Sequence, residues 1–167
     1  RAPAPGPDRP GHTGIDHSTP MRESGSLLRL TPEGLYCAAG DFHVDPWKPV
    51  PRAVVTHAHA DHARWGSESY LSSQANRIPL RIRLGDDAAI EGEPWGRIRR
   101  IQGVGVSFRN AGHILGSSIA ELWFAEGDRE MKVVFSGDLG KGDQLIVRDP
   151  HEVYEADCVF MESTYGD

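Results

Sequence analysis

The sequence predicts one α/β domain that is built mostly of strands and has few helices. Its 167 residues are enough for a single core of ordinary domain size. From residue 26 onward, short apolar runs alternate with turns rich in glycine, proline and aspartate, a pattern typical of strands. Hydrophobic residues make up 38% of the chain and charged residues 25%, as in a globular domain. We expect this domain to cover residues 21–167.

The first twenty residues are expected to be disordered and to precede the domain. They hold five of the twelve prolines and almost no large apolar side chains. Such a segment cannot bury enough surface to offset the entropy of ordering it. Met21 follows directly, and we interpret it as the native start of the protein.

The first half of the domain predicts three strands and one helix. Two short strands are expected around the turn at residues 31–34, in SLLRLTPEGLYCAAG. The apolar stretch PRAVVTH predicts a buried strand, followed by a turn or short helix from Ala60. Residues 68–92 are expected to form a helix with flanking loops, broken at Gly85.

The second half predicts strands only. Residues 96–112 suggest one or two strands, and residues 117–138 a hairpin that turns at residues 126–128. The stretch ADCVFMEST predicts a final buried strand. Candidate chemical residues follow four of the predicted strands. Because strand ends place side chains at one edge of a sheet, we expect these residues to converge on one site.

The stretch THAHADH carries four residues of the types that bind metals. In extended backbone, His57 and His59 face the same way and can bind one ion together. Asp61 and His62 fall beyond the strand and indicate a second, adjacent ion. Four such residues within six positions disfavour the alternative, a loop of surface histidines.

Two later residues complete the predicted ligand set. His113, in AGHILGS, is expected to be the third histidine of the first ion, with a structural histidine as the alternative. Asp138, in FSGDLG, is expected to bridge the two ions, with an Asp-Gly turn as the alternative. Two ions about 3.5–4 Å apart can activate water and stabilise both oxygens of a displacement. Zinc is the expected metal, and manganese suits the same donors. The remaining histidines are expected to be bystanders, with the role of His43 left open: His12, His17, His43 and His151.

The motifs THAHADH, AGHILGS and FSGD, in this order, resemble the metallo-β-lactamase superfamily. The resemblance implies an αββα sandwich with a two-metal site at the rim between its sheets. The stretch MESTYGD resembles the first motif of the β-CASP nuclease branch. By that resemblance Glu162 is an acidic active-site residue that orients a catalytic histidine, and Asp61 and Asp138 are catalytic as well. A glutamate that merely caps a buried strand is the alternative.

More closely, residues 28–167 resemble the bacterial ligase-associated DNA exonucleases. This resemblance implies hydrolysis of DNA phosphodiester bonds in DNA repair, beside an ATP-dependent DNA ligase and a helicase, with RNA as an alternative substrate. Proteins of this kind continue with a β-CASP domain and then further strands of the sandwich. The sequence is therefore expected to be the N-terminal part of a longer protein, without the β-CASP insertion and the C-terminal strands.

Two other functions stay open on the sequence. One is a hydrolase of small thioesters or lactams that uses the same site, and the other is a non-catalytic fragment that binds metal incompletely. The net charge of −6 argues against generic electrostatic capture of nucleic acid, although two divalent ions would reduce it to −2. The sequence has no run of 18 apolar residues and only two cysteines. It therefore predicts a cytoplasmic protein without a membrane partner.

Overall fold

The computed structural model describes residues 27–163, and the predictions for residues 1–20 and for Met21 lie outside this range. A first sheet contains six strands side by side in chain order: β1 (Leu28–Thr31), β2 (Gly34–Cys37), β3 (Phe42–Val44), β4 (Arg52–Val54), β5 (Ser69–Ser73) and β6 (Ile90–Glu93). Strands β1 to β3 are antiparallel to one another, and β3 to β6 are parallel. The first sheet is therefore mixed, as expected of an α/β domain.

A second sheet holds the other five strands. They are β7 (Arg99–Ile101), β8 (Val104–Asn110), β9 (Ser118–Glu126), β10 (Arg129–Phe135) and β11 (Cys158–Phe160), in the order β11-β10-β9-β8-β7. Neighbours from β7 to β10 are antiparallel, and β11 is parallel to β10. Strands β8, β10 and β11 therefore all end at the same edge of this sheet.

The two sheets pack face to face around one apolar core. Because side chains alternate along a strand, β9 turns Ala120, Leu122 and Phe124 into the core and Glu121 to the other face. The first sheet supplies its own share of the core from β2 to β5: Cys37, Phe42, Val44, Val54 and Leu71. This sandwich of facing sheets confirms the predicted metallo-β-lactamase-like α/β fold class.

One α-helix covers the outer face of the first sheet. Helix α1 (Arg77–Leu84) follows a 3₁₀ turn (Gln74–Asn76), and its Leu80 is fully buried against a second apolar cluster that includes Val55 and Tyr70. The helix ends at Gly85, which has a φ of 97° that favours glycine. The predicted break at Gly85 is thereby confirmed.

The prediction that loops flank the helix within residues 68–92 is wrong. The helix occupies only Arg77–Leu84, and β5 and β6 take the flanks. Both strands are short, and their hydrogen-bonding partners lie far away in the sequence. Strand β5 pairs with β4 and with β6. Local pattern cannot reveal such pairing, because four or five residues show too little periodicity.

The other predicted elements are found, with one difference at β11. The hairpin β1–β2, the buried strand β4 and the hairpin β9–β10 are confirmed, and residues 96–112 form two strands. The segment from Ala60 turns without forming a helix. Strand β11 exists, but the prediction that it is buried is wrong, since Val159 is 53% exposed. Its one strand neighbour within the described residues is β10, so this strand lies at the sheet edge.

A loop segment, in place of a helix, covers part of the outer face of the second sheet. Leu139, Val153 and Ala156 pack there on a small cluster formed by Ala111, Ile119 and Val134. The second helical layer of an αββα sandwich is therefore not found within residues 27–163. Over the same residues, no helix is both long and apolar enough for a membrane span.

Candidate metal centre

The six predicted metal ligands lie in the loops that follow β4, β8 and β10. The loops meet because the two sheets are joined at this rim, where the Ser118 N–H donates to the Thr56 carbonyl oxygen at 3.0 Å. Gly137 has a φ of 53°, and a Cβ added there would lie 2.9 Å from the Thr56 side chain. Only glycine allows the loop after β10 to approach the loop after β4 so closely. The convergence expected of strand ends is thus present.

Three histidine nitrogens and one carboxylate oxygen face one another in this rim. His59 Nδ1 lies 3.1 Å from His57 Nε2 and 3.2 Å from His113 Nε2. Asp138 Oδ2 lies 3.5 Å from the His57 nitrogen, 3.3 Å from that of His113 and 4.0 Å from that of His59. All four donor atoms lie within 4.8 Å of one another. Strand β4 ends before His57, so His57 and His59 lie in a loop and not in extended strand as predicted.

These four donors fit a divalent ion. Tetrahedral zinc with ligands at about 2.0–2.1 Å holds its donor atoms about 3.3 Å apart, close to the separations found here. Imidazole and carboxylate are also the donor types that such ions prefer. Metal binding by these four residues stays a prediction. The close spacing of their donor atoms, which such binding requires, is present.

The other carboxylate oxygen of Asp138 faces the second predicted pair. His62 Nε2 lies 3.3 Å from Asp138 Oδ1 and 3.6 Å from Asp61 Oδ2. The Asp61 side chain is 73% exposed, so it stands at the open side of the site. Asp138 therefore presents one oxygen to three histidines and the other to His62, which is the arrangement that a bridging carboxylate requires.

Asp45, at the end of β3, belongs to the site and was missed by the sequence analysis. Its Oδ2 accepts hydrogen bonds from Thr56 Oγ1 at 2.6 Å and from His62 Nδ1 at 2.8 Å, and its Oδ1 accepts from the Thr56 N–H at 2.8 Å. Since an ionised carboxylate only accepts, the neutral His62 ring carries its proton on Nδ1 and leaves Nε2 free. The motif GDFHVDPW offered one signal, an aspartate directly after a short strand.

Thr56 extends this control to a second histidine. Its single hydroxyl proton goes to Asp45, and Thr56 Oγ1 lies 3.1 Å from His57 Nδ1. The hydroxyl oxygen must therefore accept from His57 Nδ1–H, which leaves His57 Nε2 free among the four donors. Asp45 thus orients His62 directly and His57 through Thr56.

The electrostatics of the two oriented histidines differ. Burial, reinforced by the positive charge of His62, lowers the pKa of His57 to about 3. His57 is therefore a neutral donor throughout the physiological pH range. Burial opposes the charged form of His62 as well, but the hydrogen bond to Asp45 and the charges of Asp45 and Asp138 outweigh it and raise its pKa.

Glu162 lies beside the cluster and outside the group of four donors. Its Oε1 accepts a hydrogen bond from the Leu139 N–H at 2.9 Å, directly after Asp138. Among the predicted bystanders, His43 lies in β3 against Tyr36 and bonds Thr31, and His151 is exposed. His12 and His17 fall outside the described residues.

Comparison with known proteins gives relatives that act on nucleic acids. The chain is 30% identical over 152 residues to a ribonuclease, TTHA0252, from Thermus thermophilus, covering 75% of this chain and 34% of that protein. It is 30% identical over 136 residues to a probable DNA ligase from Opitutus terrae, covering 80% of this chain and 13% of that protein. The chain therefore spans about a third or less of the length of these relatives.

Solved structures with a related arrangement include a metallo-β-lactamase from Cronobacter sakazakii. It is 14% identical, with a TM-score of 0.47, over 72% of this chain and 58% of that one. No family model matches the chain.

The facing sheets and the histidine–aspartate donor set at their rim are those expected from the resemblance of the motifs to the metallo-β-lactamase superfamily. Within that class, the resemblance to the β-CASP branch, predicted from the motifs, is confirmed by the curated relatives.

Proposed function

We propose that this site, with two divalent ions bound, hydrolyses phosphodiester bonds of DNA. The observation that carries the proposal is the position of Asp138, whose Oδ2 faces three histidines and whose Oδ1 faces His62. Two separate ligand sets that share one carboxylate favour a two-ion site over a single ion.

In this proposal the six predicted ligands divide between the ions. His57, His59 and His113 would hold the first ion, Asp61 and His62 would hold the second, and Asp138 would serve both. When bound, the ions supply Lewis acidity that activates water and balances the charge developing on a phosphoryl group. Zinc is the metal proposed, and manganese suits the same donors.

The chain's own residues prepare the site for this chemistry. Asp45 and Thr56 hold the ring protons of the neutral His57 and His62 on Nδ1, so that both Nε2 atoms face inward as free donors to a metal ion. The low pKa of His57 removes proton competition for its nitrogen. The exposure of Asp61 leaves one side of the site open, so a polymeric substrate can reach it.

Nucleic acid is favoured as the substrate by the relatives, which include a ribonuclease and a probable DNA ligase. The motif resemblance supports the finer proposals. These are DNA as the substrate, exonuclease action, and a role in cytoplasmic DNA repair beside an ATP-dependent DNA ligase and a helicase. RNA is the competing substrate.

The test measures metal content and cleavage on the complete protein. Asp61→Ala and His113→Ala are each expected to abolish cleavage of end-labelled DNA, because each removes a ligand of a different ion. His151→Ala, a change of an exposed histidine outside the cluster, serves as the control and should cleave normally.

Retention of cleavage by both ligand variants would contradict the proposal. If labelled RNA is cleaved as fast as DNA or faster, RNA and not DNA would be taken as the substrate. Turnover of a thioester or lactam without any nuclease activity would favour the small-molecule hydrolase, and substoichiometric metal without turnover would favour the non-catalytic alternative.

A further inference from the structure

We propose that Glu162 is a positioning residue that fixes the Asp138 carboxylate between the two ligand sets by holding the backbone of the loop after β10. The role implied by the resemblance is different, because there Glu162 orients a histidine. The inference rests on the proposed two-ion site, but it concerns metal affinity and can be tested without nuclease activity.

The contacts form a clamp between the ends of β10 and β11. The Ser136 N–H donates to the Phe160 carbonyl oxygen at 2.9 Å, which continues the pairing of the two parallel strands. The Glu162 N–H donates to Ser136 Oγ at 3.1 Å, and the Leu139 N–H donates to Glu162 Oε1 at 2.9 Å. Glu162 therefore contacts the loop after β10 on both sides of Asp138.

This clamp constrains the two peptide groups that flank Asp138. The Ser136 hydroxyl also donates to the Gly137 carbonyl oxygen at 2.6 Å, which fixes the peptide before Asp138. The bond to Glu162 fixes the peptide after it. Both peptide groups next to Asp138 are therefore held by a side-chain acceptor or donor.

The rest of the loop rests on the segment that leads to His113. The Gly140 N–H donates to the Ala111 carbonyl oxygen at 2.9 Å, and the Leu139 side chain packs on the cluster that contains Ala111. Glu162 thus adds the restraint from β11 to a loop already tied to the neighbouring ligand segment. Without it, Leu139 and the carboxylate of Asp138 gain freedom to turn away from the histidines.

The experiment measures metal affinity by calorimetry and records the visible absorption of the cobalt-substituted complete protein. Glu162→Ala is expected to weaken binding about 10–100-fold, as is usual when a group supporting a metal ligand is removed, and to change the cobalt spectrum. Glu162→Gln keeps an amide oxygen for the Leu139 N–H, so it should recover most of the affinity and the native spectrum. Glu152→Ala, at an exposed glutamate of the preceding segment, is the matched control.

Ser136→Ala tests the same clamp from its other end. It should weaken metal binding in the same direction, and the double variant with Glu162→Ala should lose no more than Glu162→Ala alone, because both changes open one structure. This second variant keeps the test informative when Glu162→Ala folds poorly.

Three results would overturn the inference: native affinity in Glu162→Ala, an affinity in Glu162→Gln as low as in Glu162→Ala, or fully additive losses in the double variant. The second of these would mean that the negative charge matters and not the acceptor. Failure of the wild-type protein to cleave any nucleic acid would sink the proposed function alone, since the affinities remain measurable.

Discussion

Asp45 shows how one carboxylate can set the protonation of histidines in two ligand sets. It accepts from His62 Nδ1 at 2.8 Å and from the Thr56 hydroxyl, which in turn lies 3.1 Å from His57 Nδ1. A carboxylate that receives the outer ring N–H fixes the tautomer and the ring orientation of a metal-binding histidine. Here one residue after β3 does so for a histidine in each of the two predicted ligand sets.

Asp45→Asn is expected to weaken metal binding about 10–100-fold, because an amide nitrogen facing His62 Nδ1 forces the ring to move its proton or rotate. Metal titration of the complete protein checks this. Asp41→Asn is a matched control, because Asp41 and Asp45 both have a positive φ, which asparagine tolerates. Asp41 accepts a hydrogen bond from Tyr36 and, within the described residues, none from the histidines of the site. Equal losses in both variants would show a general effect on folding.

The candidate ligands can be recognised in the sequence, whereas the residue that orients two of them cannot. One short motif contains four residues of the types that bind metals, and this density makes them recognisable: His57, His59, Asp61 and His62. Asp45 is a single aspartate between a strand and a proline, and its relation to His62 depends on the parallel pairing of β3 with β4. Sequence spacing carries no record of that pairing.

At the scale of elements, the site depends on turns that bring loops of the two sheets together. Gly116 has a φ of 81°, and a Cβ added there would lie 2.6 Å from the backbone of Ala75 and Asn76. Its carbonyl oxygen accepts a hydrogen bond from buried Ser73 Oγ at 2.9 Å. The His113 loop is thereby fixed against the end of β5.

Gly116→Ala is therefore expected to destabilise the protein by more than about 2 kcal/mol, since backbone strain and a steric clash add together. Gly127→Ala isolates the strain, because Gly127 has a φ of 61° but open space around it. It should cost about 1 kcal/mol. Denaturant unfolding measures both, and equal costs would mean that the close approach at Gly116 is unimportant.

The two hairpins could be predicted from their local pattern, whereas the short strands β5 and β6 could not. The hairpins β1–β2 and β9–β10 join strands that are adjacent in sequence, with turn residues between them. Strands β5 and β6 have parallel partners across a helix or a loop, so these two flanks of the helix were predicted as loops. Strand β11 was found from its apolar residues, but its edge position was not visible.

The sandwich as a whole has one apolar interior and a charged cluster on the outer face of the second sheet. Glu121 is buried and accepts from Lys132 Nζ at 2.7 Å, from Ser107 Oγ at 2.7 Å and from Arg109 Nε at 3.1 Å. Burial alone would raise the pKa of Glu121, but these hydrogen bonds and positive charges outweigh it and lower the pKa below 4.5.

A carboxyl whose pKa falls on folding stabilises the native state above the unfolded pKa and loses that effect as pH falls through the folded pKa. The metal-free protein should therefore lose stability in acid below about pH 4.5. Glu121→Gln should lack this part of the acid dependence, yet be roughly 3 kcal/mol less stable at pH 7, because Lys132 stays buried without its charge partner.

Chemical unfolding at a series of pH values measures this effect. Glu130→Gln, a change at an exposed position of the same sheet, is the control and should leave the curve unchanged. An unchanged curve for Glu121→Gln would contradict the prediction.

Thr56 belongs to both sheets at once. Its N–H and hydroxyl bond Asp45 at the end of β3, its carbonyl oxygen accepts from Ser118 at the start of β9, and Gly137 rests on its side chain. Sliding one sheet against the other must therefore break bonds one residue from His57. The contact between the two sheets and the candidate metal centre therefore share the same residues. Ions bound at this rim would stabilise the packing of the two sheets.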